Sequence, residues 1–292
     1  MASNEPIVTV GMPSYNKGDK ISEAIDSILG QTFADFELLI SDDCSSDQSA
    51  SICKDYALRD TRVRFVPQRT NLGMIRNFDY VLEHARGEYF MWFSADDRID
   101  PNWLETCLNA LDKGGAIGFG RIADVEVDGA IKRRYPLCDV VGPRWRRLVY
   151  LYWAMLPECN MLHGVTRTDR IRAKGGLAPF AFAGLEFDSL YVWNSASDGE
   201  LPARDGAWLY KRDSINNGVR QSGSAGSLLA YALWPSVPIK RVIAFHRTPL
   251  SKADHVLLAA MFLPRCFYAL IKWYAKGLSV VSDRVRTKAG RS

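Results

Sequence analysis

The chain has 292 residues and is 47% hydrophobic, which suits one large domain or one domain with an appendage. Its net charge of +4 is unevenly distributed, because residues 240–292 hold eleven Lys or Arg against two Asp. Six cysteines and four histidines are scattered without metal-site spacing, which argues against a disulfide framework and against a histidine-based metal site.

Strands and helices alternate from the N-terminus to Gly115. Residues 1–6 contain no basic stretch followed by an apolar run, so we expect no secretory signal and a cytoplasmic protein. Apolar runs predict strands at 7–12, 36–41, 63–66 and 89–93, and apolar residues at helical spacing predict helices at 21–29, 45–58, 74–84 and 101–112. This order predicts an α/β fold with a mainly parallel sheet and helices on both of its faces.

The pattern changes after Gly115. The sequence predicts strands within 116–134, helices at 144–156 and 186–197, a strand at 207–211, a loop at 213–227 and helices within 228–277. We therefore divide the chain into an α/β domain at 1–220 and a helical, basic C-terminal region at 221–292.

Three of the predicted strands end in polar or aromatic side chains. Asp96-Asp97 follows the strand at 89–93, Asp42-Asp43 follows the strand at 36–41, and Pro13-Ser14-Tyr15-Asn16 follows the first strand. The carboxyl ends of strands in an open α/β sheet line a ligand crevice. An acidic pair alone also suits a helix cap or a solvated turn, but adjacent like charges repel unless a cation or hydrogen bonds compensate them. The three features together therefore predict a site for a divalent cation and a phosphate-bearing ligand.

The common nucleotide-binding motifs are absent from the first strand end. A Rossmann site needs G-x-G-x-x-G, whereas the chain has Gly11-Met12-Pro13-Ser14-Tyr15-Asn16 there, and it contains no P-loop. Tyr15 can instead stack on a base whose edge is bound by Asp42 or Asp43. The alternative is that Tyr15 has only a structural role, as a half-buried residue of a turn.

Five motifs in a fixed order resemble those of family-2 glycosyltransferases of the GT-A fold, over roughly residues 5–215. They are Pro13-Ser14-Tyr15-Asn16, Asp42-Asp43-Cys44-Ser45-Ser46-Asp47, Asn71-Leu72-Gly73 with Arg76-Asn77, Ala85-Arg86-Gly87-Glu88-Tyr89, and Ser94-Ala95-Asp96-Asp97. The resemblance implies a GT-A-type, mainly parallel twisted sheet flanked by helices. It also implies a nucleotide-diphosphate sugar donor, with UDP favoured, a divalent metal (Mn²⁺ or Mg²⁺), and inversion at the anomeric carbon.

The resemblance assigns roles to individual residues. Tyr15 resembles the aromatic residue that stacks on the base, and Asp42 and Asp43 resemble the acids that read it. Asp96 resembles the ribose contact and Asp97 resembles the metal ligand. The other positions that it places at the donor nucleotide are Pro13, Asn16, Asn71 and Arg76.

The family's general base is usually the Asp of a Glu-Asp pair before an apolar helix, whereas this chain has Gly184-Leu185-Glu186-Phe187-Asp188. The spacing from Gly199 favours Asp188 as the base, with Glu186 as the alternative. A carboxylate there can take the acceptor's proton as the hydroxyl attacks. His163 and Arg212 are the acceptor candidates; a structural histidine and a solvated basic turn are the alternatives for them.

The Gln-x-x-Arg-Trp pattern of processive synthases is absent, which favours one sugar per encounter. We therefore expect a metal-dependent, inverting glycosyltransferase that moves one sugar to a hydroxyl of a glycan or lipid-linked acceptor in bacterial surface polysaccharide synthesis. One alternative is a sugar nucleotidyltransferase, which would need a glycine-rich basic loop that residues 11–20 do not supply. The other is a non-catalytic sugar-nucleotide-binding relative, which the presence of both Asp97 and Asp188 disfavours.

The C-terminal region mixes apolar, aromatic and basic residues. The run 255–271 falls short of the ~20 apolar residues of a spanning helix, because Pro264 and Arg265 interrupt it. Aromatic and basic residues on one helix suit a membrane interface, so we expect peripheral association with the cytoplasmic face of the membrane. Packing on the core or a dimer contact is the alternative. We expect no nucleic-acid binding, because the aromatics lie in an apolar helix and not on an exposed strand.

Overall fold

The structure is a computed structural model. It describes residues 5–111, 114–126, 128–154, 160–183 and 187–212, together with scattered residues between 251 and 271. The chain divides into two compact units, residues 1–213 and 214–292. Among the described residues up to 212 there are nine strands, seven α-helices and two 3-10 helices. In chain order they are β1 (Val8–Ser14), α1 (Ile21–Leu29), β2 (Phe36–Asp42), α2 (Ser49–Arg59), β3 (Val63–Pro67), α3 (Met74–Glu83), β4 (Tyr89–Trp92), β5 (Arg98–Ile99), α4 (Trp103–Leu111), β6 (Phe119–Val125), β7 (Ile131–Arg134), α5 (Arg144–Ala154), a 3-10 helix (Asn160–His163), β8 (Thr166–Arg167), α6 (Thr168–Ala173), a second 3-10 helix (Ala178–Ala183), α7 (Phe187–Asp198) and β9 (Ala203–Arg212).

The first sheet has five strands in the order β3-β2-β1-β4-β8. The first four strands of that order are parallel, and β8 is an antiparallel strand beside β4. Every residue of β1 and β2 is buried, as expected for strands covered on both faces. In the register, Ser14 lies opposite Asp42, so β1 and β2 end at the same edge. The residues that follow these strands therefore start from one edge of the sheet.

The second sheet has the order β5-β9-β6-β7 and brings β9 to the residues that follow β4. β5 begins at Arg98, directly after Asp97, and pairs with the end of β9 through Arg98 and Tyr210. The backbone of Asp100 donates to the Trp208 carbonyl (2.9 Å), and the Asp100 carboxylate accepts the Trp208 N–H (2.9 Å). These bonds fix β9 so that its last residue, Arg212, lies at Asp97.

The observed elements confirm the predicted α/β class, in which a mainly parallel sheet is flanked by helices. The strand predicted at 207–211 is longer and spans Ala203–Arg212. The sequence does not predict β5 or β8, because a strand of two residues carries no periodicity. Among the helices that the structure describes, none combines the length and apolarity needed to span a bilayer. The predicted loop at 213–227 lies outside the described residues, as does most of 228–277.

Candidate active site

The carboxyl edge of the first sheet brings the three predicted strand ends together. The Asp43 N–H donates to the Ser14 carbonyl (2.8 Å), which joins the ends of β1 and β2. The Phe93 N–H donates to the Gly11 carbonyl (2.9 Å), which joins β4 to β1. The aromatic residue and both acidic pairs therefore start from neighbouring strands, as the sequence predicts.

Asp42 and Asp43 are buried, and each carboxylate holds a loop at the rim of the site. Asp42 accepts the backbone N–H (3.0 Å) and the hydroxyl (2.6 Å) of Ser45. Asp43 accepts the N–H groups of Leu72 (2.6 Å) and Gly73 (3.1 Å). The second pair of bonds ties the start of α3 to the end of β2, so Asp43 links two loops that border the predicted nucleotide position.

Tyr15 projects from this edge with 49% of its surface exposed, which leaves a ring face available for stacking. The loop behind it is held by Asn16, whose φ of 51° lies in the left-handed region that asparagine tolerates. The Asn16 N–H donates to the Ser45 hydroxyl (2.9 Å), and its side-chain oxygen accepts the Ser46 N–H (2.9 Å). Asn16 thus supports the position of Tyr15 through the next loop.

The remaining donor candidates lie near the same edge with different exposures. Pro13 is buried within β1. The side-chain oxygen of Asn71 accepts the Gly73 N–H (3.0 Å), so Asn71 shapes the turn that leads into α3. Arg76 is exposed in the first turn of α3. The structure therefore places these three residues around the loops that Asp42 and Asp43 hold.

Asp96 is paired with a cation that the sequence reasoning did not single out. The Lys17 ammonium lies 2.5 Å from an Asp96 carboxylate oxygen, and that carboxylate is largely buried. Lys17 follows the Tyr15-Asn16 motif directly, which is the signal that could have marked it. The ammonium compensates one of the two adjacent acids.

Asp97 has a carboxylate oxygen that is buried and unpaired. Its Oδ1 accepts the Arg212 N–H (2.9 Å), whereas Oδ2 has no hydrogen-bond partner. Burial, together with the negative charge of Asp96, raises the pKa of Asp97 to about 7, against the opposing effects of Lys211, the Arg212 N–H and Lys17. A hard oxygen donor left without a partner in this position fits a divalent cation, which carboxylates commonly hold together with substrate phosphates. No group of three or more Cys, His, Asp or Glu suited to a metal occurs in the described part of the chain.

His163 lies in the core, and its position favours the structural alternative that the sequence left open. Its Nδ1–H donates to the Trp92 carbonyl (2.9 Å) beneath the site. Burial, together with the nearby positive charge of Lys211, lowers the pKa of His163 to about 4. The ring is therefore neutral and buried.

Arg212 is also more buried than a solvated turn would be, with 10% of its side chain exposed. One guanidinium nitrogen donates to the Asp96 carbonyl (2.9 Å), and another pairs with Glu23 of α1. The group predicted to meet an acceptor thus contacts the backbone of the acidic pair.

Asp188 lies in the first turn of α7 and is half-buried. The preceding residue, Phe187, packs edge-on against Phe78 of α3, with 6.1 Å between ring centroids. This contact places the start of α7 beside α3. Glu186 lies outside the described residues, so the choice between the two candidate bases stays a prediction.

Comparison with known proteins identifies the family of this chain. A model of glycosyl transferase family 2 matches residues 9–170. A glycosyltransferase of Haemophilus influenzae is 30% identical over 144 residues, which cover 49% of this chain and 42% of that protein. The putative teichuronic acid biosynthesis glycosyltransferase TuaG of Bacillus subtilis is 32% identical over 130 residues, which cover 44% and 52%. The chain thus spans about half the length of these relatives or less.

Solved structures show the same fold. Staphylococcus aureus TarS, residues 1–349, matches with a TM-score of 0.58 and 19% identity, over 89% of this chain and 72% of that one; it has also been solved with UDP and with UDP-GlcNAc. The mannosyltransferase PcManGT of Pyrobaculum calidifontis, solved with GDP-Man and Mn²⁺, matches with a TM-score of 0.57 and 18% identity, over 96% and 76%. These likenesses show that the fold is the GT-A fold.

Proposed function

Because the chain belongs to glycosyl transferase family 2, we propose that it is a metal-dependent, inverting glycosyltransferase. It moves one sugar from a nucleotide-diphosphate sugar to a hydroxyl of a glycan or lipid-linked acceptor in bacterial surface polysaccharide synthesis. The name of the relative TuaG supports the polysaccharide context. The observation that carries the proposal is the buried, unpaired oxygen of Asp97 at the edge where Tyr15 is exposed.

The nucleotide binds along the carboxyl edge of the first sheet. Tyr15 stacks on the base, Asp43 and Asp42 bind its edge with the lone pairs that the loop bonds leave open, and Asp96 binds the ribose. We favour UDP, which is the nucleotide in two of the TarS structures, whereas PcManGT was solved with GDP-Man. The fold therefore accommodates more than one base, and the residues around Tyr15 determine the choice.

Asp97 is the protein ligand for the cation, through the oxygen that has no other partner. A divalent metal bound there would neutralise the negative charge that develops on the departing diphosphate. The Lys17 ammonium lies beside the same acids and adds fixed positive charge near the phosphates. Burial of the acidic pair strengthens both electrostatic effects, because the local dielectric is low.

Asp188 acts as the general base. The acceptor hydroxyl is a poor nucleophile, and a carboxylate takes its proton as the oxygen attacks the anomeric carbon. Attack on the face opposite the leaving diphosphate, in a single displacement, inverts the configuration. Glu186 is the second candidate for this role.

The C-terminal region supports peripheral membrane association. The described residues between 252 and 271 are helical, and the large apolar residues among them are exposed. Val256, Leu263, Phe267 and Ile271 share one helix face at about 100° per residue. An exposed apolar stripe in a strongly basic segment suits the surface of an anionic bilayer, where a lipid-linked acceptor would lie.

Isothermal titration calorimetry of UDP-linked and GDP-linked sugars, with Mn²⁺ and with a chelator, tests the proposal. We expect one nucleotide class to bind, and to bind at least tenfold more tightly with Mn²⁺. Asp97→Ala removes the metal ligand, so it should abolish both the Mn²⁺ effect and turnover while the protein stays folded. Asp169→Ala, which removes an exposed carboxylate that pairs with Arg167, is the control. If Asp97→Ala retains the Mn²⁺ effect or near-normal turnover in chelator, the metal assignment is wrong.

A further inference from the structure

Arg212, the last residue of β9, contacts both members of the acidic pair without occupying the metal-binding oxygen. Its backbone N–H donates to Asp97 Oδ1 (2.9 Å), and its Nη1 donates to the Asp96 carbonyl (2.9 Å). The two bonds come from one residue, so the orientation of the Asp97 carboxylate depends on where Arg212 is held. With Oδ1 occupied, Oδ2 is the atom left for another ligand.

The position of the Arg212 guanidinium depends in turn on Glu23 of α1. The Arg212 side chain is largely buried, and its Nε has no hydrogen-bond partner. A buried guanidinium without a counterion is strongly unfavourable, and Glu23 supplies that counterion. Arg98 of β5 lies 3.6 Å from the other Glu23 oxygen and stacks over the Tyr210 ring, 3.9 Å from its centroid. Glu23 therefore joins α1 to both β5 and β9 beside the acidic pair.

We propose that Glu23 and Arg212 form a clasp that positions Asp97 for a divalent cation. Both are positioning residues: Arg212 acts through its bonds to Asp96 and Asp97, and Glu23 acts through Arg212. The proposal rests on the metal role of Asp97 proposed above. It differs from a direct contact between Arg212 and an acceptor or a phosphate, because the guanidinium is already held by a carbonyl and a carboxylate.

The test measures Mn²⁺ affinity by electron paramagnetic resonance of free Mn²⁺, on the full chain with UDP and, in parallel, with GDP. Glu23→Gln keeps the shape of the side chain and removes its charge. We expect about tenfold weaker Mn²⁺ binding, as for other groups that orient a metal ligand. Glu88→Gln is the matched control, because Glu88 has a similar exposure and also pairs with an arginine, Arg167, away from the acids. It should bind Mn²⁺ like the wild type.

A second variant separates positioning from direct phosphate binding. In the presence of chelator, the Arg212→Gln variant should bind UDP as the wild type does. In the absence of chelator, its Mn²⁺ affinity should fall. The double variant with Glu23→Gln should bind Mn²⁺ no more weakly than Arg212→Gln alone. The clasp is refuted if Glu23→Gln binds Mn²⁺ normally, or if Arg212→Gln loses UDP affinity in chelator. If those results occur while Asp97→Ala still abolishes Mn²⁺ binding, the proposed function stands without the clasp. If the wild type binds no Mn²⁺ with either nucleotide, both proposals fail.

Discussion

His163 couples the stability of the α/β unit to pH. Its ring is buried and donates to the Trp92 carbonyl, and its pKa is lowered to about 4. The unfolded chain has the ordinary histidine pKa of about 6.5, so it binds the proton first as the pH falls. The stabilisation that the neutral ring provides is therefore fully present above pH ~6.5 and is lost progressively between pH ~6.5 and pH ~4.

We expect His163 to lower the free energy of unfolding by about 2 kcal/mol at pH 5 relative to neutral pH. Urea unfolding of the wild type and of His163→Asn, at several pH values, measures this effect. The asparagine amide can still donate to the Trp92 carbonyl but does not titrate. The stability difference between the two proteins should shrink by that amount as the pH falls, and a difference independent of pH would contradict the assignment.

A kinetic measurement distinguishes between Asp188 and Glu186 as the general base. Asp188→Asn should keep donor affinity and lose transfer by roughly 10²–10⁴-fold, the range typical of general acid–base catalysis, and Glu186→Gln should lose less. Single-turnover transfer and calorimetric donor binding give the two quantities. Asp198→Asn, at the other end of α7, controls for the loss of an acid from the same helix. The reverse ranking of the first two variants would move the base to Glu186.

The sequence predicts the acids of the site but not what surrounds them. Asp96 and Asp97 stand out because they end an apolar run, which is a local pattern. Their partners come from far along the chain: Lys17 is 79 positions from Asp96, and Arg212 is 115 positions from Asp97. Only the pairing of strands decides which distant residue reaches an acid, and no periodicity within one segment records it.

At the scale of elements, the four parallel strands and the strands β6, β7 and β9 are predictable from sequence, whereas β5, β8 and the pairing within the second sheet are not. Buried strands between amphipathic helices give strong periodic signals, whereas β5 and β8 have two residues each. The second sheet also pairs β6 with β9, which the intervening α5, α6 and α7 separate in sequence. Yet this sheet carries Arg212 to Asp97, so the unpredicted part of the fold completes the proposed metal site.

Gly120 of β6 shows how closely the second sheet packs on α4. A Cβ added there would lie 2.7 Å from the Ala207 carbonyl oxygen of β9 and 2.7 Å from the Trp103 ring of α4. Gly120→Ala should therefore lower the free energy of unfolding by about 1–3 kcal/mol, the usual effect of overpacking. Denaturant unfolding measures it, with Gly30→Ala as the control, because the nearest atom there is 3.2 Å away and φ is −80°. Equal effects of the two substitutions would show that β9 and α4 shift enough to accommodate the added methyl group, and would contradict close packing at Gly120.

At the scale of the whole molecule, positive charge is concentrated in the C-terminal region. Residues 240–292 hold eleven Lys or Arg against two Asp. Each basic residue near an anionic leaflet contributes about 1 kcal/mol to binding, and salt screens this attraction. The exposed stripe of Val256, Leu263, Phe267 and Ile271 adds an apolar contribution that salt does not screen. The two contributions together predict binding that weakens with salt but persists.

Sedimentation of the full chain with anionic vesicles, at low and high salt, tests this expectation. Replacing Leu263 and Phe267 by serine should leave binding at low salt and abolish what persists at high salt, because only the apolar contribution is removed. Leu58→Ser is the matched control, since Leu58 is 77% exposed on α2 and Leu263 is 75% exposed. Binding to neutral vesicles should be weak for every variant, because the basic residues then gain little. The contrary outcome is that the full chain never sediments with anionic vesicles, while the serine substitutions unfold the protein or cause a dimer to dissociate. In that case the stripe is a contact within or between protein chains, and the prediction of membrane association is wrong.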